Sequence, residues 1–311
     1  MRTVFLGSPP FATPSLRALL GSPFGPSLVV TPPDRPRGRG LRVGPSPVAA
    51  LAEAAGVAVL RAERAPSGEE ILESLGGERP DLLVVVSYGA ILPREILELP
   101  RLGPWNVHAS LLPRHRGASP IAAAILVGDP ETGVSVQRMV ERLDAGPVLL
   151  VKEIGISEWE TAGDLLARLA DLAAPTLLRA LDLVAEGKAS PIPQDESKAT
   201  RAPRLRREDG VIDWTQGCRA IGRRVRAMTP WPGATTLCRG RLLVLREGEP
   251  FVESPRGRPG EVVGARSDSF EIATGDGAYA VVRVIPAGRK EMTGGEFARG
   301  RGVAIGDVLG S

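Results

Sequence analysis

Leu82-Leu83-Val84-Val85-Val86, closed by Ser87-Tyr88-Gly89, is the stretch on which the fold class turns. Five apolar residues stopped by a turn suit a strand and are far too few to cross a bilayer. The same texture recurs on both sides of it. Upstream, Thr3–Leu6, Leu28–Thr31 and Ala58–Leu60 read as strands; downstream, Trp105–His108 and Gly133–Met139 do. Helical stretches with recognisable starts lie between them. Ser46-Pro47 supplies an N-cap and then N1 before Val48–Ala55, and Ser119-Pro120 does the same before Ile121–Val127. Ser67, with Glu69 and Glu70, precedes Ile71–Leu75. Strands alternating with helices predict an α/β fold built on a mostly parallel, Rossmann-like sheet. A long helix over Thr161–Glu186 closes this part of the chain.

The texture then changes. Gly187–Arg207 is polar and rich in Pro, Lys and Arg, which suits a linker. One short helix follows, Gly217–Met228, with Ile221, Val225 and Met228 on one face and Arg219, Arg223 and Arg226 on the other. From Gly233 on, short β segments are split by glycine: Arg241–Leu245, Glu261–Val263, Phe270–Ile272 and Tyr279–Val284. These predict a small OB-like β-barrel. The expected organisation is a catalytic domain over 1–188, a basic linker over 189–207 and a C-terminal domain over 208–311, which suits a chain of 311 residues.

Composition bounds the rest. Apolar residues make up 43% and charged residues 24%, enough for a sizeable core. Neither a membrane span nor a secretory leader is recognisable, so the expected compartment is the cytoplasm, without membrane association. Cys218 and Cys238 fit no zinc spacing and have no neighbouring histidine, so they read as structural thiols. Net charge is +3, carried mostly by arginine, with lysine only at 152, 188, 198 and 290. Guanidinium suits bidentate phosphate recognition, but composition alone does not demand it.

The first strand does not lead into a phosphate cradle. Gly7-Ser8-Pro9-Pro10-Phe11-Ala12 contains two prolines, which have no N–H to aim at a phosphate. It matches neither a dinucleotide fingerprint nor a P-loop. The chemistry is therefore expected beyond the carboxyl ends of other strands. Both histidines of the chain, His108 and His115, lie in one stretch, Asn106-Val107-His108-Ala109-Ser110-Leu111-Leu112-Pro113-Arg114-His115-Arg116-Gly117. Asn106 and His108, two apart at a strand end, share a face. A single histidine there would read as a packed core residue; two polar side chains on one face are harder to explain that way. Asp144, in Leu143-Asp144-Ala145-Gly146, would by itself be a turn aspartate. A Ser110–His108–Asp144 hydrolase triad is disfavoured because Ser110 sits in no nucleophile elbow. A metal is disfavoured by the spacing of His108 and His115 and by the lack of a nearby cysteine.

Together these residues resemble a known family. Asn106-x-His108-x-Ser110-Leu111-Leu112-Pro113-x-x-Arg116-Gly117-x-x-Pro120, with Thr132-Gly133-Val134 and Leu143-Asp144-x-Gly146 downstream, resembles the folate-dependent formyltransferases. Phe5-Leu6-Gly7-Ser8-Pro9, Pro33-Asp34-Arg35-Pro36, Ser87-Tyr88-Gly89-x-Ile91-Leu92-Pro93 and Arg226-Ala227-x-x-Pro230-Trp231-Pro232-Gly233-Ala234 resemble the members acting on methionyl-tRNA. The resemblance runs almost end to end. It implies Asn106, His108 and Asp144 as the catalytic triad, and His115 is assigned no catalytic role. Asn106 and a protonated His108 would donate to the developing oxyanion, with Asp144 orienting the imidazolium and its loop holding a proton-relay water. It also implies 10-formyltetrahydrofolate as formyl donor, with no metal. The donor would lie against Tyr88, Gly89, Ala90, Ile91 and Leu92, and against Ser110, Leu111, Leu112 and Pro113.

The arginine clusters bear on the acceptor. Arg35, Arg37, Arg39 and Arg42 crowd a Gly- and Pro-rich loop; Arg201, Arg204, Arg206 and Arg207 sit in the linker; Arg219, Arg223 and Arg226 are expected to face outward from the short helix. A solvated surface loop is the plain alternative for the first group. Patches spread over two domains suit a long polyanion, here an initiator methionyl-tRNA, better than a small substrate. The protein is expected to act as a monomer. Two other functions stay open: the same chemistry on a small amine, such as an amino-sugar nucleotide or glycinamide ribotide, and a non-catalytic RNA-binding protein.

Overall fold

The apolar runs of the first half fold as strands in a computed structural model that describes residues 1–37, 42–251 and 257–310. The order is β1 (Thr3–Gly7), α1 (Ala12–Leu20), β2 (Pro26–Thr31), the short pair β3 (Arg35–Arg37) and β4 (Arg42–Gly44), α2 (Pro47–Ala54), β5 (Ala58–Arg61) and α3 (Gly68–Ser74). Next come β6 (Leu82–Val86), the single turn α4 (Arg94–Leu97), β7 (Pro104–His108), the two-residue β8 (Arg116–Gly117), α5 (Pro120–Val127), β9 (Glu131–Arg138), β10 (Val148–Gly155) and α6 (Ala162–Ala185). Seven of the strands form one sheet in the order β10-β9-β7-β6-β1-β2-β5. Pairing is parallel from β5 through β7, and antiparallel where β9 meets β7 and β10. The chain builds one half outward from β1, then returns to place β6 on its other side. The topological switch therefore lies between β1 and β6, and ligands of such sheets bind at the carboxyl ends there.

Burial explains the strands. All five residues of β6 are buried. Leu83 and Val85 pack with Val4, Leu6, Leu28, Val30 and Ile71. The helix starts are the expected ones. Ser46 Oγ accepts from Ala49 N at 2.9 Å, with Pro47 in the first turn. Ser67 and Glu70 close a capping box. Among the elements absent from the sequence reading, α1 and β10 show why local pattern missed them. Helix α1 begins at Ala12 behind Phe11, which has no side chain able to cap it, so the usual N-cap signal is missing. Strand β10 lies at the sheet edge with its residues half-buried or exposed, and so lacks a clear apolar alternation.

The chain divides into two compact units, one of Met1–Pro120, Glu131–Gly155 and Leu166–Pro203, the other of Ile121–Pro130, Ile156–Leu165 and Arg204–Ser311. The expected linker is thus not a free spacer over 189–203. Ile192 pairs with Val148, and the short strand β11 (Arg201–Ala202) pairs with β8. Its polar composition reflects hydrogen bonding to the first unit.

In the second unit, α7 (Cys218–Ala227) packs on an antiparallel sheet of β12 (Ala234–Cys238), β13 (Arg241–Phe251), β14 (Val262–Ala265), β15 (Phe270–Ala273) and β16 (Ala278–Pro286). The strand order is β12-β13-β16-β15-β14; β17 (Met292–Thr293) pairs with β16, and α8 (Gly294–Arg299) packs beside it. Among the described residues no ladder joins β12 to β14. Leu243, Leu245, Phe270, Tyr279, Val281 and Val284 fill the core with Ile221, Val225 and Met228 of the α7 segment.

Candidate active site

Strand β7 ends in Asn106-Val107-His108, and the pleat sends Asn106 and His108 to one face. Antiparallel pairing sets Asn106 opposite Gln137 and His108 opposite Ser135, while Val107 faces Val136. One face of this strand pair is therefore apolar and the other polar. Asn106 Nδ2 donates to the Val85 carbonyl at 3.1 Å, and its Oδ1 accepts from Gln137 Nε2 at 3.3 Å. That fixes the amide orientation and leaves one Nδ2 hydrogen uncommitted by these contacts.

His108 is 7% exposed. Its Nε2 lies 2.9 Å from the His115 carbonyl. A carbonyl oxygen can only accept, so Nε2 carries a hydrogen. Nδ1 then faces Asp144, whose Oδ2 is 3.7 Å away, near enough for an electrostatic contact but too far for a hydrogen bond. Asp144 is held by two donors, Gly117 N to Oδ2 at 2.8 Å and Gln137 Nε2 to Oδ1 at 3.1 Å. Gln137 so bridges the other two residues of the trio. The structure brings together Asn106, His108 and Asp144 from a strand end and a loop 36 residues on.

The backbone around the trio is strained. Ser87 (φ 49°), His115 (φ 58°) and Asp144 (φ 49°) are three of the five non-glycine residues at positive φ among the described residues. Each such conformation costs roughly 1–3 kcal/mol and persists only where the surroundings hold it. Gly146 is required by close approach, since a Cβ there would sit 1.7 Å from the Arg138 carbonyl oxygen.

Sequence inspection missed a polar shell behind this loop. Gln194 Nε2 donates to the carbonyls of Asp144 (2.9 Å) and Gly146 (2.6 Å). Its Oε1 accepts from Arg116 Nε (3.0 Å) and Nη2 (2.8 Å). The buried Arg116 also makes a bidentate pair with Glu196, at 3.1 and 2.9 Å, and Arg142 joins the same carboxylate. The two guanidinium groups pull the Glu196 pKa down to about 2. Gln137 carried a local signal, being polar on the strand of Val134 and Val136. Gln194 carried none, because its partners lie about fifty or more residues away.

The residues expected at the donor lie on two loops that leave neighbouring parallel strands, β6 and β7, at their carboxyl ends. They differ in what they present. Tyr88 and Leu92 are buried in the core of the first unit. The Tyr88 hydroxyl donates to the Arg64 carbonyl at 3.0 Å, and burial pushes its pKa up to about 12. Gly89, Ala90 and Ile91 are exposed, with Gly89 at φ 86°. Ser110 is fully buried and its hydroxyl donates to the Arg114 carbonyl at 2.6 Å, so it shapes the loop rather than offering a free hydroxyl. Leu111, Leu112 and Pro113 are half-buried. Among the described residues no cluster of three His, Cys, Asp or Glu could hold a metal ion.

The arginines separate into classes. Arg35 is exposed on β3, which pairs with β4 through Arg35–Gly44 and Arg37–Arg42, where a plain loop was expected. Arg39 lies outside the described residues. Arg201, Arg204, Arg206, Arg207 and Arg219 are exposed. Arg223 and Arg226 do not face outward as expected. Both are half-buried: Arg223 Nε donates to the Leu126 carbonyl at 3.1 Å, and Arg226 Nη1 to the Glu160 carbonyl at 3.2 Å. Burial lowers the Arg226 pKa. The basic side of α7 packs against Leu126 and Glu160, which helical periodicity within α7 cannot reveal. With Trp159, these arginines line a cavity of about 320 Å³ in the second unit.

The chain is similar to known proteins over nearly its whole length. Residues 1–181 match the formyl transferase family model, and 204–302 match that of the formyl transferase C-terminal domain. The chain belongs to the formyl transferase family. It is 43% identical over 313 aligned residues to a protein of Moorella thermoacetica named methionyl-tRNA formyltransferase, covering 100% of this chain and 99% of that one. A protein of the same name from Magnetococcus marinus is also 43% identical, covering 99% and 98%. Solved structures share the fold at lower identity. An N-formyltransferase from Helicobacter canadensis, in complex with folinic acid and dTDP-3-aminofucose, superposes with TM-score 0.68 at 16% identity, covering 92% of this chain and all of that one. HypX from Aquifex aeolicus, in complex with tetrahydrofolic acid, gives 0.62 at 20%, covering 95% of this chain and 46% of that longer one. The protein is accordingly a transferase of the formyl transferase family. No described helix is long and apolar enough to cross a membrane.

Proposed function

We propose that this protein transfers the formyl group of 10-formyltetrahydrofolate to the free amino group of initiator methionyl-tRNA, supplying formylated initiator for translation. The observation that carries the chemistry is the convergence of Asn106, His108 and Asp144 through Gln137 at the carboxyl end of β7. The acceptor is supported by relatives named for methionyl-tRNA that match this chain over its whole length.

The residues divide the work as follows. The neutral amine attacks the formyl carbon, forming a C–N bond and a tetrahedral oxyanion. The uncommitted N–H of Asn106 donates to that oxygen, and the Nε2–H of His108, shared with the His115 carbonyl, is the second donor. Asp144, held by Gly117 and Gln137, keeps the imidazole oriented and favours positive charge on it as the oxyanion develops. Collapse breaks the bond to N10. The proton lost by the amine reaches N10, with Asp144 and a water beside it as relay. No covalent enzyme intermediate is formed. The exposed main chain of Gly89–Ile91 and the half-buried Leu111–Pro113 receive the donor, and the exposed Arg35, Arg204, Arg206, Arg207 and Arg219 contact the tRNA.

Mass analysis tests this. Methionyl-tRNA incubated with the protein and 10-formyltetrahydrofolate should gain one carbonyl on its methionyl amine. Formylation of amino-sugar nucleotides but not of the tRNA would transfer the assignment to a small-amine enzyme. RNA binding without transfer to any amine would mark a non-catalytic protein.

A further inference from the structure

Arg116 stands between two main-chain groups that touch the candidate catalytic side chains. The carbonyl before it, at His115, accepts from His108 Nε2, and the N–H after it, at Gly117, donates to Asp144 Oδ2. Whatever holds Arg116 therefore holds both contacts. Gln194 does so from one side, accepting two hydrogen bonds from the guanidinium. Through its other end it grips the carbonyls of Asp144 and Gly146, on either side of Ala145. The orientation of this amide is unambiguous: one end faces a group that only donates, and the other faces groups that only accept.

The rest of the segment is tied down in the same manner. Ile192 and Val148 exchange both main-chain hydrogen bonds at 2.8 Å. Thr200 accepts from His115 N at its hydroxyl (2.8 Å) and from Arg116 N at its carbonyl (2.9 Å). Gln194 thus lies between two anchored points, one beyond the Asp144 loop and one beside the His115 loop. Both loops carry a non-glycine residue at positive φ, a conformation that needs external support.

We propose that Gln194 is a positioning residue for formyl transfer, fixing the left-handed main chain at Asp144 and, through Arg116, the groups that hold His108 and Asp144. The proposal rests on the formyl-transfer function proposed above. Glu196 backs the clamp from outside through its bidentate pair with the Arg116 guanidinium.

The full chain provides two independent readouts. The first is kinetic. Gln194→Ala should lower kcat about ten- to hundredfold, the range expected for losing buried hydrogen bonds that align reacting groups. KM for methionyl-tRNA and for the folate donor should stay within about threefold. Gln194→Glu keeps the shape but aims oxygen at two carbonyls, so it should be no better than alanine; a space-filling role would leave it near wild type. The second readout needs no substrate. The chain has two histidines, so 15N-histidine labelling resolves His108 readily. In the wild type its Nε2 should carry the hydrogen, and Gln194→Ala should shift and broaden the His108 signals. Should Gln194→Ala misfold, Glu196→Ala, altered at an exposed carboxylate, should give a smaller kcat loss with the same spectral change. Wild-type turnover in Gln194→Glu, or unchanged His108 signals in both alanine variants, would overturn the proposal. A wild-type enzyme that formylates no amine would defeat the function proposed above, while the spectral comparison would still decide whether Gln194 positions His108.

Discussion

Replacing Asn106 by aspartate separates its donor role from its packing. The substitution keeps the shape and the bond from Gln137 Nε2 (3.3 Å) but deletes both Nδ2 hydrogens. One of these serves the Val85 carbonyl at 3.1 Å, and the other is the hydrogen assigned to the oxyanion. Losing an oxyanion donor costs about a hundred- to thousandfold in kcat, or about 2.7–4 kcal/mol of transition-state stabilisation. Losing the Val85 contact acts on the fold instead, at roughly 1–3 kcal/mol for a buried acceptor left without its partner. The assay is single-turnover formylation of methionyl-tRNA at saturating donor, with thermal unfolding and titration of a folate analogue on the same samples. The expected result is a rate at least a hundredfold lower, with analogue affinity within about threefold and a lower unfolding midpoint. A folded Asn106→Asp protein that binds the analogue and turns over within fivefold of wild type would refute the donor role.

Other outcomes follow from the same geometry. Gly146→Ala places a Cβ 1.7 Å from the Arg138 carbonyl oxygen; overpacking of this kind costs roughly 1–3 kcal/mol, so both turnover and the unfolding midpoint should fall, and an unchanged midpoint would contradict the close approach. The only two tyrosines, Tyr88 and Tyr279, are buried with raised pKa values, Tyr88 to about 12; near pH 10.5 the native protein should show little phenolate absorbance. Because folded-state values are raised, the associated stability is intact below pH 10 and declines as pH climbs through them, so phenolate should appear together with unfolding in an alkaline titration. The Glu196 pKa is lowered from 4.5 to about 2, so its contribution is complete above pH 4.5 and drains away as pH falls toward 2; Glu196→Gln should flatten the acid limb of a stability profile in that window. Each phosphate contact adds roughly 0.7–0.9 to the slope of log affinity against log salt; Arg204→Ala and Arg219→Ala should each reduce the tRNA slope by about that much, whereas Arg223→Ala, which breaks the Leu126 contact, should lower the melting temperature first.

The arginines show where local pattern stops being informative. On α7 the 3.6-residue period sorts Ile221 and Val225 from Arg219, Arg223 and Arg226 and correctly identifies the buried apolar side. It says nothing about what lies across from the basic side. Leu126 and Glu160 arrive there from 97 and 66 residues away and offer carbonyls to Arg223 and Arg226. The segment after Gly187 fails as a linker for the same reason. Its polar composition is shared by solvated spacers and by chain that satisfies its hydrogen bonds on a neighbour, and Gln194, Thr200 and Ala202 do the latter.

What the sequence by itself determined is the part governed by short-range rules. The strand-length runs, the caps at Ser46 and Ser67, the shared face of Asn106 and His108, and the unsuitability of the Gly7–Ala12 turn for phosphate all depend on neighbours within a few residues. The grouping of Asn106 and His108 with Asp144 came from the resemblance to the folate-dependent formyltransferases, since Asp144 by itself reads as a turn aspartate. Only the tertiary structure decided how the three are held. Gln137 reaches Asn106 across 31 residues, Gly117 reaches Asp144 across 27, and Gln194 joins the Asp144 loop to Arg116 across 50 and 78. Such contacts depend on the packing of whole elements and on strained main chain at His115 and Asp144, and no window along the sequence contains both partners.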